Sequence, residues 1–514
     1  MLETIFQYSL LSFLLSIALL LIVLVKTQVK IWQLWLLAIG LTYPGAVIAN
    51  HLGAQIILSI LVLLGIFLVP SVRLLIFTKP LFNSMRKSLP PIGLTERIAL
   101  EAGSVWWDAE LFQGNPNWKQ LSDLEATELS VEEQSFVDNE VETLCSMINS
   151  YDIVANQDLP KEVWKYIFDK GFLGLIIPKE FNGLGFSHFA HAIIVGRLSS
   201  ASQFLGISVM VPNSLGPGEL LLKYGTDDQK QYYLPRLAKG KEIPCFGLTS
   251  TVAGSDAGSL IDNGIVCYGD HEGNEVLGLR LNWEKRYITL APIATVIGLA
   301  FKAYDPDNLL PVDHPLHEKN DLGITCALIP RNAKGLSIGT RHRPIGEPFQ
   351  NGPIYGKDVF IPMDWIIGGD KMIGHGWRML MESLSVGRGI SLPVTGASAT
   401  QAMLLTTSTY SQTREQFGIP IANMEGIQEK LSNLATNAFR ATANINLSTW
   451  ALDAGHRPSI ISAIVKYRNT QLLQQSSIDA MDIHGGRAVM QGKRNYVANV
   501  YAGAPVAITV EGAN

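Results

Sequence analysis

The chain has 514 residues, of which 47% are hydrophobic and 17% are charged, and its formal net charge at pH 7 is −5. This length is enough for about two to four domains. The basic residues are scattered and no nucleic-acid-binding motif occurs, so we expect no nucleic acid partner. The cysteines show neither a pairing pattern nor metal-ligand spacing, which indicates a reducing compartment and no metal site: Cys145, Cys245, Cys267 and Cys326.

Apolar residues are concentrated at the start of the chain. Residues 8–25, 31–49 and 54–69 are uncharged apolar runs. We predict that each is a transmembrane helix, with Trp32 and Trp35 as interfacial anchors. The alternative is a secretory signal peptide, but no positive n-region precedes the first run and no small-residue cleavage site follows it.

Positive charges predict the orientation of these segments. They lie between the first two runs and after the third, at Lys26, Lys30, Arg73, Lys79, Arg86 and Lys87. The positive-inside rule then places the N-terminus outside and everything after residue 70 on the cytoplasmic side. We therefore expect a protein of the cell inner membrane, in contact with membrane lipid, whose soluble body lies in the cytoplasm.

The residue pattern of the remaining chain changes twice, from helical to β and back to helical. After the membrane segment (1–78) and a linker (79–120), residues 121–242 show helical patterns such as KEVWKYIFDKGFLGLIIP. Residues 243–369 consist of short apolar segments such as GITCALIP between turn residues, which predicts β structure. Residues 370–514 return to long helices and predict a helical bundle.

Two apolar faces with helical spacing support this bundle. Their members are Ile427, Leu431, Leu434, Ala438, Ala441 and Ile445 on the first, and Ile461, Ile464, Val465, Leu472 and Met481 on the second.

One loop of the β region has an unusual composition. CFGLTSTVAGSDAGS, residues 245–259, follows an apolar stretch and combines small side chains with the hydroxyls of Thr249, Ser250, Thr251 and Ser255. Such a loop lets a ligand approach the backbone and offers polar groups to a cofactor edge or a phosphate. The alternative is a turn-rich surface loop.

Several segments in this order resemble the acyl-CoA dehydrogenase family over residues 90–514. They are GFLGLIIPKEFNGLGFS, YGTDDQKQYYLPRLAKGKEIPCFGLTSTVAGSDAGS, REQFGIPI with a following glutamine, IHGG and VEGAN. With the apolar runs, the chain is most similar to the membrane-attached, long-chain type of bacterial fatty-acid β-oxidation. The resemblance implies a mainly α fold with a central β domain: transmembrane helices, an α-helical domain, a β-barrel-like domain and a C-terminal helical bundle.

The resemblance implies FAD as the cofactor and places part of its site in the β domain. Leu248 and Thr249 would face the isoalloxazine, Tyr287 would lie against the ring, and Thr289 would reach flavin N5. Ser255 would meet the acyl-CoA. Without the neighbouring loop, the YITLA segment that holds Tyr287 and Thr289 reads equally well as an ordinary buried strand.

The resemblance places the rest of the FAD site in the bundle. Arg414, Phe417, Gln428, Gly485 and Gly486 match residues that contact the adenine and pyrophosphate, usually on the neighbouring subunit of a homodimer. An arginine fork and glycine backbone suit a pyrophosphate. The alternative for Arg414 is a solvated cation at a helix end.

Glu511 in VEGAN matches the catalytic base of the family, and Arg388 resembles the arginine beside it. The base removes a proton α to a thioester carbonyl, for which a carboxylate with a raised pKa in an apolar setting is suited. The alternative is an exposed glutamate near a frayed terminus. The implied reaction converts a long-chain acyl-CoA to trans-2-enoyl-CoA, with electrons passed to an electron-transfer flavoprotein.

Some residues depart from the family pattern. Residues 250–252 stand where Glu-Pro-Gly is common, Tyr287 replaces a tryptophan, and Ala513 replaces a threonine that contacts FAD. Family members continue beyond Asn514, so we expect either a naturally short product or a fragment, with weaker FAD binding. The alternative functions are an acyl-CoA oxidase or flavin monooxygenase of the same fold, and a non-catalytic relative.

Overall fold

The computed structural model describes Ser59, residues 70–214 and residues 216–514. The chain divides into two units, Met1–Ile92 and Gly93–Asn514. In the first unit the described residues form helix α1 (Pro70–Arg73), a π-helical turn (Leu74–Thr78) and helix α2 (Lys79–Ser88).

The predicted fold class is wrong in its first part, the transmembrane helices. Within the described residues, no helix combines the length and the apolar character that crossing a membrane requires. A span needs about 20 apolar residues, whereas α1 and α2 have 4 and 10 residues and α2 carries several positive charges. The predicted spans themselves, residues 8–25, 31–49 and 54–69, lie outside the described residues apart from Ser59.

The second unit begins with helices that extend to residue 238. Two of their starts are fixed by capping boxes, Ser130 with Glu133 and Thr226 with Gln229, in which side chains satisfy the free amides of the first turn. The helices are α3 (Leu94–Glu101), α4 (Trp107–Phe112), α5 (Trp118–Ser122), α6 (Val131–Phe136), α7 (Glu142–Ser146), α8 (Ser150–Asn156), α9 (Lys161–Asp169), α10 (His188–Ala201), α11 (Gln203–Met210), α12 (Pro217–Tyr224) and α13 (Asp227–Ala238).

A seven-stranded sheet follows, in the order β1-β4-β2-β3-β7-β6, with β5 paired to β4. The strands are β1 (Pro244–Gly247), β2 (Asn263–His271), β3 (Asn274–Thr289), β4 (Val296–Tyr304), β5 (Asp321–Pro330), β6 (Leu336–Ile338) and β7 (Asn351–Pro362). Strand β4 is parallel to β1 and β2, and the other pairs are antiparallel. This register pairs Thr289 at the end of β3 with Asn351 at the start of β7.

Long helices complete the unit. They are α14 (Gly376–Thr413), α15 (Glu425–Asp453), α16 (Ser459–His484), α17 (Gly486–Val489) and α18 (Ala498–Thr509), with a short hairpin of β8 (Glu415–Gln416) and β9 (Ile419–Pro420) after α14. Helix α14 packs against α10, α15 and α16, and α18 packs against α16.

The two predicted apolar faces are largely correct. Leu434, Ala438, Ala441 and Ile445 are buried on α15, but Ile464 on α16 is 44% exposed. The buried face of α16 instead includes polar residues that follow Val465. Helical spacing alone does not say which side of a helix meets the neighbouring helix.

Candidate active site

The hydroxyl-rich loop is fastened to strand β3. It leaves β1 after Gly247, and the carbonyl of Leu248 accepts a hydrogen bond of 3.0 Å from Lys285 Nζ. The carbonyl of Thr249 accepts one of 3.1 Å from the amide of Arg286. Ser250 closes a tight turn, since its hydroxyl accepts from the amide of Ala253 at 3.2 Å. The first half of the loop is therefore anchored, whereas Ser255 farther along is exposed.

Lys285 holds this loop through a buried ion pair. Its ammonium lies 2.5 Å from Asp262 Oδ2, and the two side chains are 0% and 2% exposed. Burial lowers the pKa of Lys285, and the charge of Asp262 opposes that shift. The pair thus fixes the loop at the cost of removing two charges from water.

We expect Lys285→Met to lower the free energy of unfolding by about 3–5 kcal/mol, because it leaves the Asp262 carboxylate buried without a partner. Denaturant titration followed by tryptophan fluorescence measures the change. The exposed Lys357 on β7 provides the control, Lys357→Met. Adding Asp262→Asn to Lys285→Met should restore part of the loss, and a midpoint equal to that of the control would contradict the prediction.

Tyr287 and Thr289 lie beside the loop at the end of β3. Tyr287 has a φ of +62°, and its side chain is 59% exposed. Asn351 Nδ2 donates to the Tyr287 carbonyl at 3.1 Å and to Thr289 Oγ1 at 3.4 Å. The Arg286 guanidinium lies over the Tyr287 ring, 5.1 Å from its centroid, and the His342 ring lies 5.1 Å away. A left-handed aromatic residue is a strained feature that the surrounding hydrogen bonds maintain. The structure therefore brings Leu248, Thr249, Tyr287 and Thr289 together on adjacent segments.

Two predicted residues, Arg414 and Gly486, line a cavity of about 480 Å³ in the bundle; the other lining residues are Tyr410, Thr413, His484 and Arg487. Two guanidinium groups therefore share one cavity. Gly485 has a φ of +58°, and a Cβ added at Gly485 or Gly486 would meet nothing within 4 Å. Open glycine backbone beside two arginines is suited to a phosphate-bearing ligand.

An aromatic stack forms one side of this cavity. The rings of Tyr410 and His484 are stacked with centroids 4.3 Å apart. Burial lowers the pKa of His484, which favours the neutral ring; its Nδ1 donates to the Ala480 carbonyl at 3.0 Å. Nε2 is then the acceptor for the Tyr496 hydroxyl at 3.0 Å. The Arg487 guanidinium lies 5.3 Å from the Tyr410 ring centroid, which aligns this cation along the cavity.

Phe417 and Gln428 lie apart from that cavity. Phe417 occupies the turn of the β8–β9 hairpin with a φ of +54° and is 95% exposed. Gln428 is exposed on α15, where its Nε2 donates to the Ala422 carbonyl at 3.1 Å. Neither side chain lines the cavity, and neither do the four residues of the β domain. Within one chain, the predicted FAD residues thus form separate groups.

Glu511 lies just after α18, in a turn with an unusual backbone. Glu511 and Gly512 have φ values of +54° and +88°. Both carboxylate oxygens of Glu511 are shielded from solvent, and no described residue gives them a hydrogen bond. Burial raises the pKa of Glu511 to about 7, against the opposing charges of Arg388 and Lys466. A carboxylate in this state is able to accept a proton near neutral pH.

Arg388 reaches the same turn from α14. The positive φ of Gly512 favours glycine there, and a Cβ at this position would lie 3.2 Å from Arg388 Nη2, so the guanidinium would have to shift slightly. The Nε of Arg388 is buried without a partner among the described residues. Arg388 therefore faces Glu511 as a cation with unused hydrogen-bonding capacity.

Comparisons with known proteins agree with these motifs. Residues 106–241 match the acyl-CoA dehydrogenase N-terminal domain family and residues 374–514 match the acyl-CoA dehydrogenase C-terminal domain family. A 3-(aryl)acrylate reductase of Clostridium sporogenes is 30% identical over 357 residues, covering 69% of this chain and 86% of the reductase. The chain belongs to the acyl-CoA dehydrogenase family. This confirms the family resemblance. The matches do not support the narrower prediction of a membrane-attached, long-chain type.

Two further relatives show what this acyl-CoA dehydrogenase family member resembles. Subunit CarC of the caffeyl-CoA reductase–Etf complex of Acetobacterium woodii is 26% identical over 336 residues, covering 64% of this chain and 80% of that subunit. The solved structure of an FAD complex of PigA superposes with a TM-score of 0.65 at 22% identity, covering 76% of this chain and 96% of PigA. The second likeness shows the shared fold.

Sequence reasoning did not single out several residues of this arrangement. Arg487 directly follows the glycine pair, so its position next to a predicted ligand site was a usable signal. Lys466 was also detectable, as a charged residue within the apolar face of a helix. Lys285 and Asn351 had no local signal, because their role depends on which strands pair.

Proposed function

We propose that this chain oxidises an acyl-CoA to the trans-2-enoyl-CoA with FAD as its cofactor. The observation that carries the proposal is Glu511, a shielded carboxyl group with no hydrogen-bond partner among the described residues, whose pKa is raised to about 7 and which faces Arg388. This is the state that abstraction of a proton α to a thioester requires. Anaerobic titration of the FAD-reconstituted protein with palmitoyl-CoA tests it, since loss of the flavin absorbance band is expected.

The residues present fit FAD. The exposed side chain of Tyr287, with Leu248, Thr249 and Thr289 beside it, would hold the isoalloxazine, and the bundle cavity with Arg414 and its neighbours would hold the diphosphate. FAD, when bound, supplies the acceptor for the β-hydrogen and its two electrons. PigA, which shares this fold, has been solved as an FAD complex.

The chain's own residues perform the acid–base part. Glu511 takes the α-proton of the acyl-CoA while the β-hydrogen leaves as hydride, so the product gains a double bond and Glu511 becomes neutral. Arg388 lies beside the turn and stabilises the ionised form of Glu511 before the reaction. The shielded setting excludes water from this carboxylate, which strengthens its interaction with the substrate.

The rate of flavin reduction should depend on the ionisation of Glu511. Because only the carboxylate accepts a proton, we expect the rate to rise with pH through about 7 and to fall about tenfold for each pH unit below that point. Anaerobic stopped-flow measurements across this range, at saturating palmitoyl-CoA, provide the test. A rate that is constant from acid to alkaline pH would contradict the assignment.

We propose that the electrons leave the protein to an electron-transfer flavoprotein. The support is the relative CarC, which is a subunit of a complex with Etf. After anaerobic bleaching by acyl-CoA, addition of an oxidised electron-transfer flavoprotein should restore the flavin band. Fast recovery with O2 and none with the flavoprotein would favour an acyl-CoA oxidase.

A second candidate is the reverse reaction, reduction of a 2-enoyl-CoA. It is favoured by the names of the Clostridium and Acetobacterium relatives, which are reductases. The same Glu511 would return the proton it takes in the forward direction. Dithionite-reduced protein mixed with 2-enoyl-CoA distinguishes the two, because a reductase reoxidises its flavin faster with enoyl-CoA than it bleaches with acyl-CoA.

We also propose a long acyl chain, as in the first oxidative step of fatty-acid β-oxidation, from the sequence resemblance. The ratio kcat/KM should then be higher for palmitoyl-CoA than for butyryl-CoA.

For the assembly we propose a homodimer, because the FAD residues of one chain form separate groups and Phe417 is exposed. Sedimentation of the FAD-loaded protein at the mass of one chain would contradict the dimer.

A further inference from the structure

The turn that carries Glu511 is held by a buried lysine of another helix. We propose that Lys466 on α16 is a positioning residue that fixes this turn and adjusts the ionisation of Glu511. The inference rests on the proposed role of Glu511 as the base.

The hydrogen bonds of Lys466 all point to this turn. Its ammonium donates to the carbonyl of Ile508 at 3.0 Å, the carbonyl of Gly512 at 2.6 Å and Asn514 Oδ1 at 2.8 Å. Three acceptors use all three donors of an ammonium group. Asn514 is tied to the same helix, since its Nδ2 donates to Thr470 Oγ1 at 2.9 Å. Lys466 therefore joins both ends of the turn around Glu511.

The position of Lys466 on α16 suits this task. The residue is 2% exposed and lies on the buried face that meets α18. A buried ammonium is costly unless all its donors are satisfied. Here the donors are satisfied by the turn alone, because Lys466 forms no ion pair among the described residues.

The backbone of the turn needs such support. Glu511 is a non-glycine residue in the left-handed region, with a φ of +54°. This conformation is disfavoured for any residue other than glycine and persists only where neighbouring contacts enforce it. The backbone supplies one closing bond, from the amide of Asn514 to the carbonyl of Ile508 at 3.2 Å. The lysine adds the stronger, charge-assisted bonds.

The charge of Lys466 also faces Glu511. Arg388 on α14 and Lys466 on α16 are the two groups whose charges oppose the rise in the pKa of Glu511. Burial lowers the pKa of Lys466 to about 8, and Glu511 opposes this shift. Near pH 7 the lysine is thus still mostly protonated. Removing it should raise the pKa of Glu511.

Three variants separate position from charge. Lys466→Met keeps the length of the side chain and removes the donors and the charge, whereas Lys466→Arg keeps the charge in a different geometry. Lys430→Met is the control, because it makes the same replacement at a lysine of α15 that pairs with Asp479 and Asp482 and not with the turn. Thermal unfolding and circular dichroism identify any variant that fails to fold.

The first readout is hydrogen–deuterium exchange of the peptide covering residues 506–514, measured without cofactor or substrate. We expect Lys466→Met to exchange there roughly tenfold faster or more, since losing charge-assisted hydrogen bonds has effects of that size. Lys430→Met should exchange like the wild type. Unchanged exchange in folded Lys466→Met would overturn the proposal.

The second readout is the pH profile of flavin reduction. We expect the midpoint for Lys466→Met to move upward by about one pH unit, as loss of a nearby opposite charge does, and the midpoint for Lys466→Arg to stay near the wild-type value. A midpoint unchanged in Lys466→Met would overturn the electrostatic part. If the wild type never bleaches its flavin, the proposed function fails, and the exchange experiment still decides whether Lys466 holds the turn.

Discussion

Replacement of Glu511 by glutamine is expected to slow flavin reduction by acyl-CoA by about 10²–10⁴-fold, because the amide has nearly the same shape but does not accept the α-proton. Binding of the acyl-CoA should persist, since the turn and Arg388 remain in place. Anaerobic stopped-flow absorbance gives the rate, and the perturbation of the flavin spectrum on mixing gives binding.

Glu347 offers a matched control for this substitution. It is also buried, and burial raises its pKa to about 8. It lies against α18, where a Cβ at Gly503 would be 2.5 Å from its carboxylate oxygen, and the charges of Arg388 and Lys466 do not shift its pKa. Glu347→Gln should therefore reduce its flavin at the wild-type rate. An equal loss in both variants would mean that any buried carboxylate change disturbs the fold, and a Glu511→Gln variant that still bleaches would exclude Glu511 as the base.

The second large effect concerns the cavity at the end of α14. We expect Arg487→Ala to weaken FAD binding about tenfold or more, because a charge-assisted hydrogen bond contributes about 1.5–3 kcal/mol. Arg414→Ala should have a similar effect, since both guanidinium groups line the same cavity. Fluorescence titration of the unloaded protein with FAD provides the dissociation constants.

The double variant and a control sharpen this experiment. If both arginines bind one diphosphate, the loss in the double variant should differ from the sum of the single losses. Arg440→Ala removes an exposed arginine of α15 and should bind FAD like the wild type. Wild-type affinity in both single variants would show that the cavity does not receive the cofactor.

The sequence allowed much of the fold to be predicted. The order of helices, sheet and helices follows from periodicity, and the capping residues Ser130 and Thr226 mark helix starts by local chemistry. The motifs also led to Glu511, Arg414 and Gly486. The transmembrane part of the predicted fold class is wrong, because apolar length alone was its basis and the described helices lack the required length and apolar character.

The sequence did not show which of the predicted site residues lie close together in space. Tyr287 and Thr249 are distant in the chain, and they lie on adjacent segments because Lys285 and Arg286 of β3 donate hydrogen bonds to the loop carbonyls. The Arg487 guanidinium lies over the Tyr410 ring at the cavity, and no spacing in the sequence indicates this contact.

The helices, strands and turns and the side chains they present follow from local sequence, because capping, turn chemistry and apolar periodicity act between residues that are near in the chain. The proton affinity of Glu511, in contrast, depends on how the helices pack. Its pKa depends on burial and on the charges of Arg388 and Lys466, which reach it from two other helices. Lys466 binds Gly512 across 46 residues of chain, and such a contact exists only after the helices have packed.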